Sequence, residues 1–278
     1  MARIPFSQVL KNASIDPRKE YDRLFFMFSK KPITDSRETF TLREVCAQNF
    51  VNIPFRGTCI SLEDFDESYN CHFTENPSNF DIDYLVTFCE YSYNLVYLSR
   101  GYAFNYLSSD VNQAIRLYIT QIENVIEKIC YMPNDKENIT DFVPKNQVAI
   151  SVSEIVDPNL SYKILEYNHH SMKGDIRQKR DVVLTLADQL EPQRAKLKQI
   201  NSTMESDLFF LFNNLNLRHN NADPNGKNYV SFVAAMKEEE IEQWYDDIYQ
   251  MCLLAFLELD QIDRKSRVAQ LKTDIQNQ

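Results

Sequence analysis

Four glycines in 278 residues set the tightest limit on what this chain can fold into. Tight β-turns draw on backbone conformations with positive φ, which glycine adopts without steric cost. A sandwich or barrel needs many such turns, so the scarcity favours helices joined by Asn-rich or Pro-containing loops. Hydrophobic residues at 44% and aromatics at 12% supply ample core and carry no disorder signature. The expected fold class is mainly α: a helical bundle with a small β element and an irregular N-terminal region.

Apolar periodicity divides the chain into an irregular region, residues 1–80, packing on a helical bundle domain, residues 81–278. The first part scatters Pro5, Pro17, Pro32, Pro54 and Pro77 among short periodic pieces. Tyr21 to Ser29 reads as one helix, and Thr41 with Glu44 forms a capping box for another through Gln48. Phe50 to Leu62 reads as short strands or loop. Asp81 or Asp83 caps a helix burying Leu85, Phe88, Cys89, Leu95 and Val96. Ser108 or Ser109 caps the next, whose stripe is Val111, Ile115, Tyr118, Ile122, Val125 and Ile129, stopped by Pro133. These two helices are expected to pack antiparallel across a turn near Leu107.

Val148, Ile150 and Val152 alternate with small residues, a strand period. Asp157-Pro158 marks the start of a helix over Asn159 to Tyr167, and His169-His170-Ser171 a turn. A long helical region spans Gly174 to Leu217, kinked or divided by Pro192. The last helix runs from about Lys237 past Ile262. Its core stripe is Ile241, Trp244 (or Tyr245), Ile248, Cys252, Ala255, Leu259 and Ile262, which predicts a buried Trp244. Leu253, Leu254, Phe256 and Leu257 make it apolar nearly all round, so a second protomer is expected to cover part of it in a homodimer.

The net charge of −10 excludes broad, non-specific coating of nucleic acid, which rests on summed Lys/Arg contacts to phosphate. The longest apolar run, Met251 to Leu257, falls far short of the ~20 residues that cross a bilayer. The N-terminal residues lack a signal-peptide pattern, so a cytoplasmic protein with no membrane partner is expected. Cys46, Cys59, Cys71, Cys89, Cys130 and Cys252 form no C-x-x-C pair, which predicts free thiols and no metal site. No P-loop, G-x-G-x-x-G, G-x-S-x-G or H-E-x-x-H pattern occurs, and no cofactor is expected.

One stretch suggests chemistry: Asn213-Asn214-Leu215-Asn216-Leu217-Arg218-His219-Asn220-Asn221-Ala222-Asp223-Pro224. It ends the apolar stripe Met204, Leu208, Leu211, Phe212 and Leu215. Asn side chains offer donors and acceptors together, and Arg offers a planar fork suited to phosphate. As a plain helix terminus, the same stretch would use Arg218 against the helix C-terminal dipole and the asparagines as caps. Lys173, Arg177 and Arg180 would share one helical face as a further basic stripe. Glu238-Glu239-Glu240 and Glu242 suit the start of the last helix.

Here the chain resembles the HEPN superfamily of helical nucleotide-binding domains, in LNLRHNNAD and the helix that follows. That family carries an Arg, then a polar residue, then a His four to six positions after the Arg, just before the last long helix. Arg218 matches the Arg and His219 the polar position, while Asp223 stands where the closest spacing has His. The resemblance implies Arg218, His219 and Asp223 as the positions of a metal-independent ribonuclease centre. Arg218 and His219, with Asn214, Asn220 and Asn221 supporting them, are expected to form a phosphate or RNA site. A carboxylate is a poor general acid near neutrality, so the expected function is RNA or phosphate binding of prokaryotic defence or toxin–antitoxin type, with weak or no cleavage. The partner would be RNA, a protein or an antitoxin. The alternative is a non-catalytic helical dimerisation or protein-interaction module.

Overall fold

The computed structural model describes residues 15–35, 38–103 and 108–277. The expected turn near Leu107 and the N-terminal leader reading lie outside these residues. The chain is mainly helical and divides into two units, residues 1–144 and 145–278, each with its own hydrophobic core. The division falls after Pro144 and not after residue 80, because the early helices bury their apolar faces against those that follow.

In the first unit, α1 (Pro17–Ser29) begins where Asp16 Oδ1 accepts the amides of Arg18 at 3.1 Å and Lys19 at 3.4 Å. Pro17 occupies the first turn, where its missing donor costs nothing. The short strands β1 (Ile33–Asp35) and β2 (Glu38–Phe40) pair antiparallel. The Thr41–Glu44 capping box opens α2 (Leu42–Asn49) as expected. Phe50 to Arg56 forms 3-10 turns instead of strands, and α3 covers Leu62–Tyr69.

Asp81 caps α4 (Ile82–Ala103) by accepting the Tyr84 amide at 2.8 Å, and Ser108 caps α5 (Ser109–Lys128). Tyr21, Phe28, Phe88 and Tyr118 are fully buried between α1, α4 and α5. Tyr21 meets Phe88 edge-on with ring centroids 5.1 Å apart, and Phe28 stacks on Tyr118 at 5.7 Å. These contacts are why the N-terminal helices belong to this core.

Pro133 does not stop α5. The helix ends earlier, Cys130 turns the chain with a left-handed φ of 62°, and Pro133 sits inside strand β3 (Tyr131–Lys136) opposite Phe142 of β4 (Ile139–Pro144). Buried Asn94 pins this hairpin to α4, donating to the Thr140 carbonyl and accepting its amide, both at 2.8 Å.

The strand expected over Val148 to Val152 is instead the helix α6 (Gln147–Ser153). Asn146 accepts the amides of Val148 and Ala149, both at 3.1 Å, and Ala149 and Val152 are buried at helical spacing. Five alternating residues cannot separate the two periods; the cap decides. Asp157 and Pro158 start α7 (Pro158–Glu166), as the sequence predicts. Pro192 divides the long helical region. It sits in a 3-10 turn between α8 (Ile176–Leu190) and α9 (Arg194–Ile200), and Asn201 caps α10 (Ser202–Asn214). A single turn, α11 (Ser231–Ala234), precedes α12 (Glu238–Gln276), 39 residues long.

Tyr245, Ile248, Tyr249, Cys252, Leu253 and Ala255 of α12 are buried in the core of the second unit. Trp244, expected in that core, is 41% exposed, whereas Tyr245 is 1% exposed. Adjacent helical positions differ by about 100°, so the core stripe takes one residue and turns out the other. Among the described residues, no helix is long and apolar enough to cross a membrane. The six cysteines are free thiols, with Cys46, Cys59, Cys89 and Cys252 buried.

Candidate functional site

The polar stretch after α10 is a built loop, and its geometry follows from how that helix stops. Leu208, Phe209 and Phe212 bury the helix face, so its last turn is fixed to the core. Asn216 then adopts a left-handed φ of 56°, and the Arg218 amide returns to the Phe212 carbonyl at 3.1 Å. Asn tolerates this conformation better than most side chains. Two loop carbonyls just past the helix end are met by Arg180 of α8, whose Nε donates to Asn216 O at 2.7 Å and Nη2 to Leu217 O at 2.5 Å. The cation that holds the chain as it leaves the helix is therefore Arg180.

Arg218 turns back onto the bundle. Its Nη1 pairs with Glu191 at 2.5 Å and its Nη2 donates to the Ala187 carbonyl at 3.1 Å. The guanidinium lies over Phe212 at 5.2 Å and Phe209 at 5.4 Å, with its side chain 19% exposed. Arg194 stands 4.2 Å from the Phe209 ring and pairs with buried Glu205 at 2.6 Å. Both guanidinium groups thus cover aromatic faces, an arrangement that supplies packing as well as charge.

Asn221 is buried and ties the loop together. Its Nδ2 donates to the carbonyls of Asn213 at 3.2 Å and Asn228 at 2.9 Å, while its Oδ1 accepts the Asn216 amide at 2.9 Å. Asn214 Nδ2 bonds its own helix at Phe210 O, 2.8 Å away. Asn220 Oδ1 accepts the Asp223 amide at 3.1 Å, and Asp223 Oδ1 accepts that of Asn225 at 2.9 Å. His219 and Asn220 are exposed. The geometry thus brings Arg218 and Asn221 into scaffold contacts, leaves His219 to solvent, and aims the Asp223 carboxylate into its own turn.

The basic stripe is not continuous on one helix. Lys173 precedes α8, Arg177 is exposed, and Arg180 is committed to the α10 terminus. Sequence reasoning missed the buried Lys179 one position away. Its ammonium pairs with Glu242 at 2.8 Å and Asp246 at 2.7 Å on α12, and Asp246 also accepts the Tyr167 hydroxyl at 2.7 Å. Burial works against its charge, but the hydrogen bonds to Asp246 and Glu242 outweigh that and raise its pKa. The hydrogen bond from Lys179, then that from the Gly174 amide, lowers the Glu242 pKa. A lysine held charged is a clamp, not a nucleophile. The spacing of Glu242 and Asp246, one helical turn apart, was the available signal.

The remaining feature of this unit is the distal part of α12. Residues 264–277 are exposed throughout, and Val268, Leu271 and Ile275 are large exposed apolar side chains among them. Comparison with protein-family models, with curated proteins and with solved structures finds no match to this chain.

Proposed function

We propose that the protein is a non-catalytic helical interaction module that pairs with a second copy of itself through the distal half of α12. The observation that carries this reading is the exposed apolar stripe Val268, Leu271 and Ile275 on a helix continuing past the core. Helices of this length standing alone in water are marginal, so a partner that buries the stripe is the physical counterpart of their order. Burying each of these side chains contributes on the order of 1.5–3 kcal/mol.

The stripe fits a heptad in which Leu254, Gln261, Val268 and Ile275 occupy one core position and Leu257, Arg264 and Leu271 the other. β-Branched residues at the first position with leucine at the second favour two parallel strands. Gln261 and Arg264 are the polar residues of this seam and would set the register, the role polar residues play at such positions. Three basic residues, Lys265, Arg267 and Lys272, and three acidic ones, Asp260, Asp263 and Asp274, flank the stripe in the sequence. The mixture spares this helix the repulsion that the whole chain's charge of −10 would bring to self-association.

The HEPN-like reading of RNA or phosphate binding at Arg218 and His219 is supported by the exposure of His219 and Asn220. It asks Arg218 to leave Glu191 and two aromatic faces, which favours the interaction module. Light scattering tests the choice: the wild type is expected at twice the 32.7 kDa chain mass. The double variant Val268→Lys/Leu271→Lys is expected at the monomer mass with an unchanged melting temperature for the core. A monomeric wild type at high concentration, or a double variant that stays dimeric, overturns it. RNA binding by the wild type that is lost in Arg218→Lys would restore the nucleic-acid reading.

A further inference from the structure

The geometry points to a docking surface for a basic, apolar peptide segment of a partner protein, in the cleft of the second unit between α11 and the start of α12. Glu240, Gln243, Trp244 and Asp247 follow one another at steps of three, one and three, so they share one face of α12. Tyr245 and Ile248 take the core side of the same turns and are buried, while Trp244 and Asp247 are exposed. On the other side of the cleft, α11 is anchored by buried Val233, and its neighbour Phe232 is left 74% exposed. Phe232 and Met236, with that face of α12, line a cleft of about 350 Å3.

The walls are fixed by the chain itself. The Val230 amide donates to the Asn221 carbonyl at 2.9 Å, which ties the start of α11 to the loop after α10. The Met236 amide donates to the Val233 carbonyl at 3.2 Å and closes the turn between the two helices. Glu240 Oε2 accepts the Lys237 amide at 3.1 Å, which holds this carboxylate at the helix start. Trp244, Phe232 and Tyr229, which stands just before α11, are all exposed. Apolar surface of this kind beside polar residues marks sites of protein association, where Trp, Tyr, Phe and Met are enriched. The Trp244 indole, the Gln243 amide and the Asp247 carboxylate make no hydrogen bond or ion pair among the described residues, so all three are free to meet a partner.

Charge selects the partner. Glu240 and Asp247 line the cleft, and no basic side chain joins them in its described lining. Glu238 and Glu239 are exposed in the same turn of helix as Glu240, and Lys237 is the one base that adjoins this run. An apolar segment carrying Lys or Arg complements both the carboxylates and the exposed apolar side chains, whereas an acidic one is repelled. A second copy is the wrong occupant. A two-fold contact sets a patch against itself, so it would bring the Glu240 and Asp247 charges of the two copies together. This surface lies on the first turns of α12, apart from the distal stripe, and does not rest on the pairing proposed there.

The experiment uses Trp244, the only tryptophan in the sequence, as its own reporter. The full chain is titrated with the tryptophan-free peptide acetyl-Lys-Arg-Leu-Ile-Leu-Arg-Lys-amide, with a version in which every basic residue is Glu, and with one in which every apolar residue is Ser. The first is expected to shift Trp244 emission to the blue saturably, and the other two to bind about tenfold more weakly. Asp247→Asn is expected to weaken the first peptide about two- to fivefold, the range of one exposed ion pair. Phe232→Ser, at an exposed position, is expected to weaken it with no change in melting temperature. Val268→Lys/Leu271→Lys is expected to bind it as the wild type does, which separates this surface from self-pairing. No saturable shift at millimolar peptide, equal binding of the acidic or the serine peptide, or wild-type binding by Asp247→Asn and Phe232→Ser overturns the proposal. A blue shift that grows with the protein's own concentration in the absence of peptide, and persists in Val268→Lys/Leu271→Lys, would assign the cleft to a second copy and overturn it as well.

Discussion

Asn221 carries more of the loop after α10 than any charged residue there. Replacing it with Ala leaves the Asn216 amide and the Asn213 and Asn228 carbonyls without their partner. Buried groups orphaned in this way cost about 1–3 kcal/mol, so Asn221→Ala is expected to lower stability by about that amount in urea unfolding. His219→Ala, at an exposed position, is expected to change it by less than about 0.5 kcal/mol. A reversed order would mean that the loop is organised by its basic pair. The sequence made the cluster visible as chemically unusual, because Asn, Arg and His crowd one helix end. It did not reveal which members face inward. That depends on Glu191 and Arg180 from elsewhere in the unit, partners at sequence separations that no local pattern reports.

At the scale of elements, the clamp between α8 and α12 is the feature with a pH signature. Glu242 titrates below its ordinary value of 4.5, so its contribution is full above that value and fades as pH falls through the lowered pKa. Lys179 titrates above 10.5, so its contribution holds below that value and is lost only as pH rises through the raised pKa. The stability difference between wild type and Lys179→Met is therefore expected to be large near pH 7 and to shrink on acidification well below pH 4.5, read by urea unfolding at each pH. A pH-independent difference would assign the residue to packing alone. The helices themselves were legible where a period repeats over many turns, as in Val111 to Val125, and where a cap stands at the start, as at Thr41 and Asp157. Val148 to Val152 was not, because so short a run fits both periods, and Trp244 was not, because it and Tyr245 compete for one stripe.

Taken whole, the chain holds two hydrophobic cores, one below Pro144 and one above it. Both units are in the usual size range of about 100–150 residues for a self-sufficient domain. The fragment 145–278 expressed alone is expected to melt cooperatively with a helical circular dichroism spectrum; a molten, non-cooperative fragment would show that its core needs the rest of the chain. The boundary escaped the sequence because Tyr21 and Phe28 stand on a short helix set between Pro17 and Pro32, and their packing against Phe88 of α4 spans some 60 residues of chain. Interruption reads as irregularity until the partner helix is known.

The distal half of α12 also has a mechanical meaning. A single continuous helix links the stripe Val268, Leu271 and Ile275 to the buried residues of the same helix, so its bearing is a matter of phase. Each residue added between them would swing the stripe by about 100° and advance it by about 1.5 Å. An insertion of four would bring it back to within about 40° of its first heading, whereas an insertion of two would turn it to nearly the opposite side. The helix is in this sense a shaft with a keyway, and the number of residues between core and stripe is itself part of what the sequence specifies.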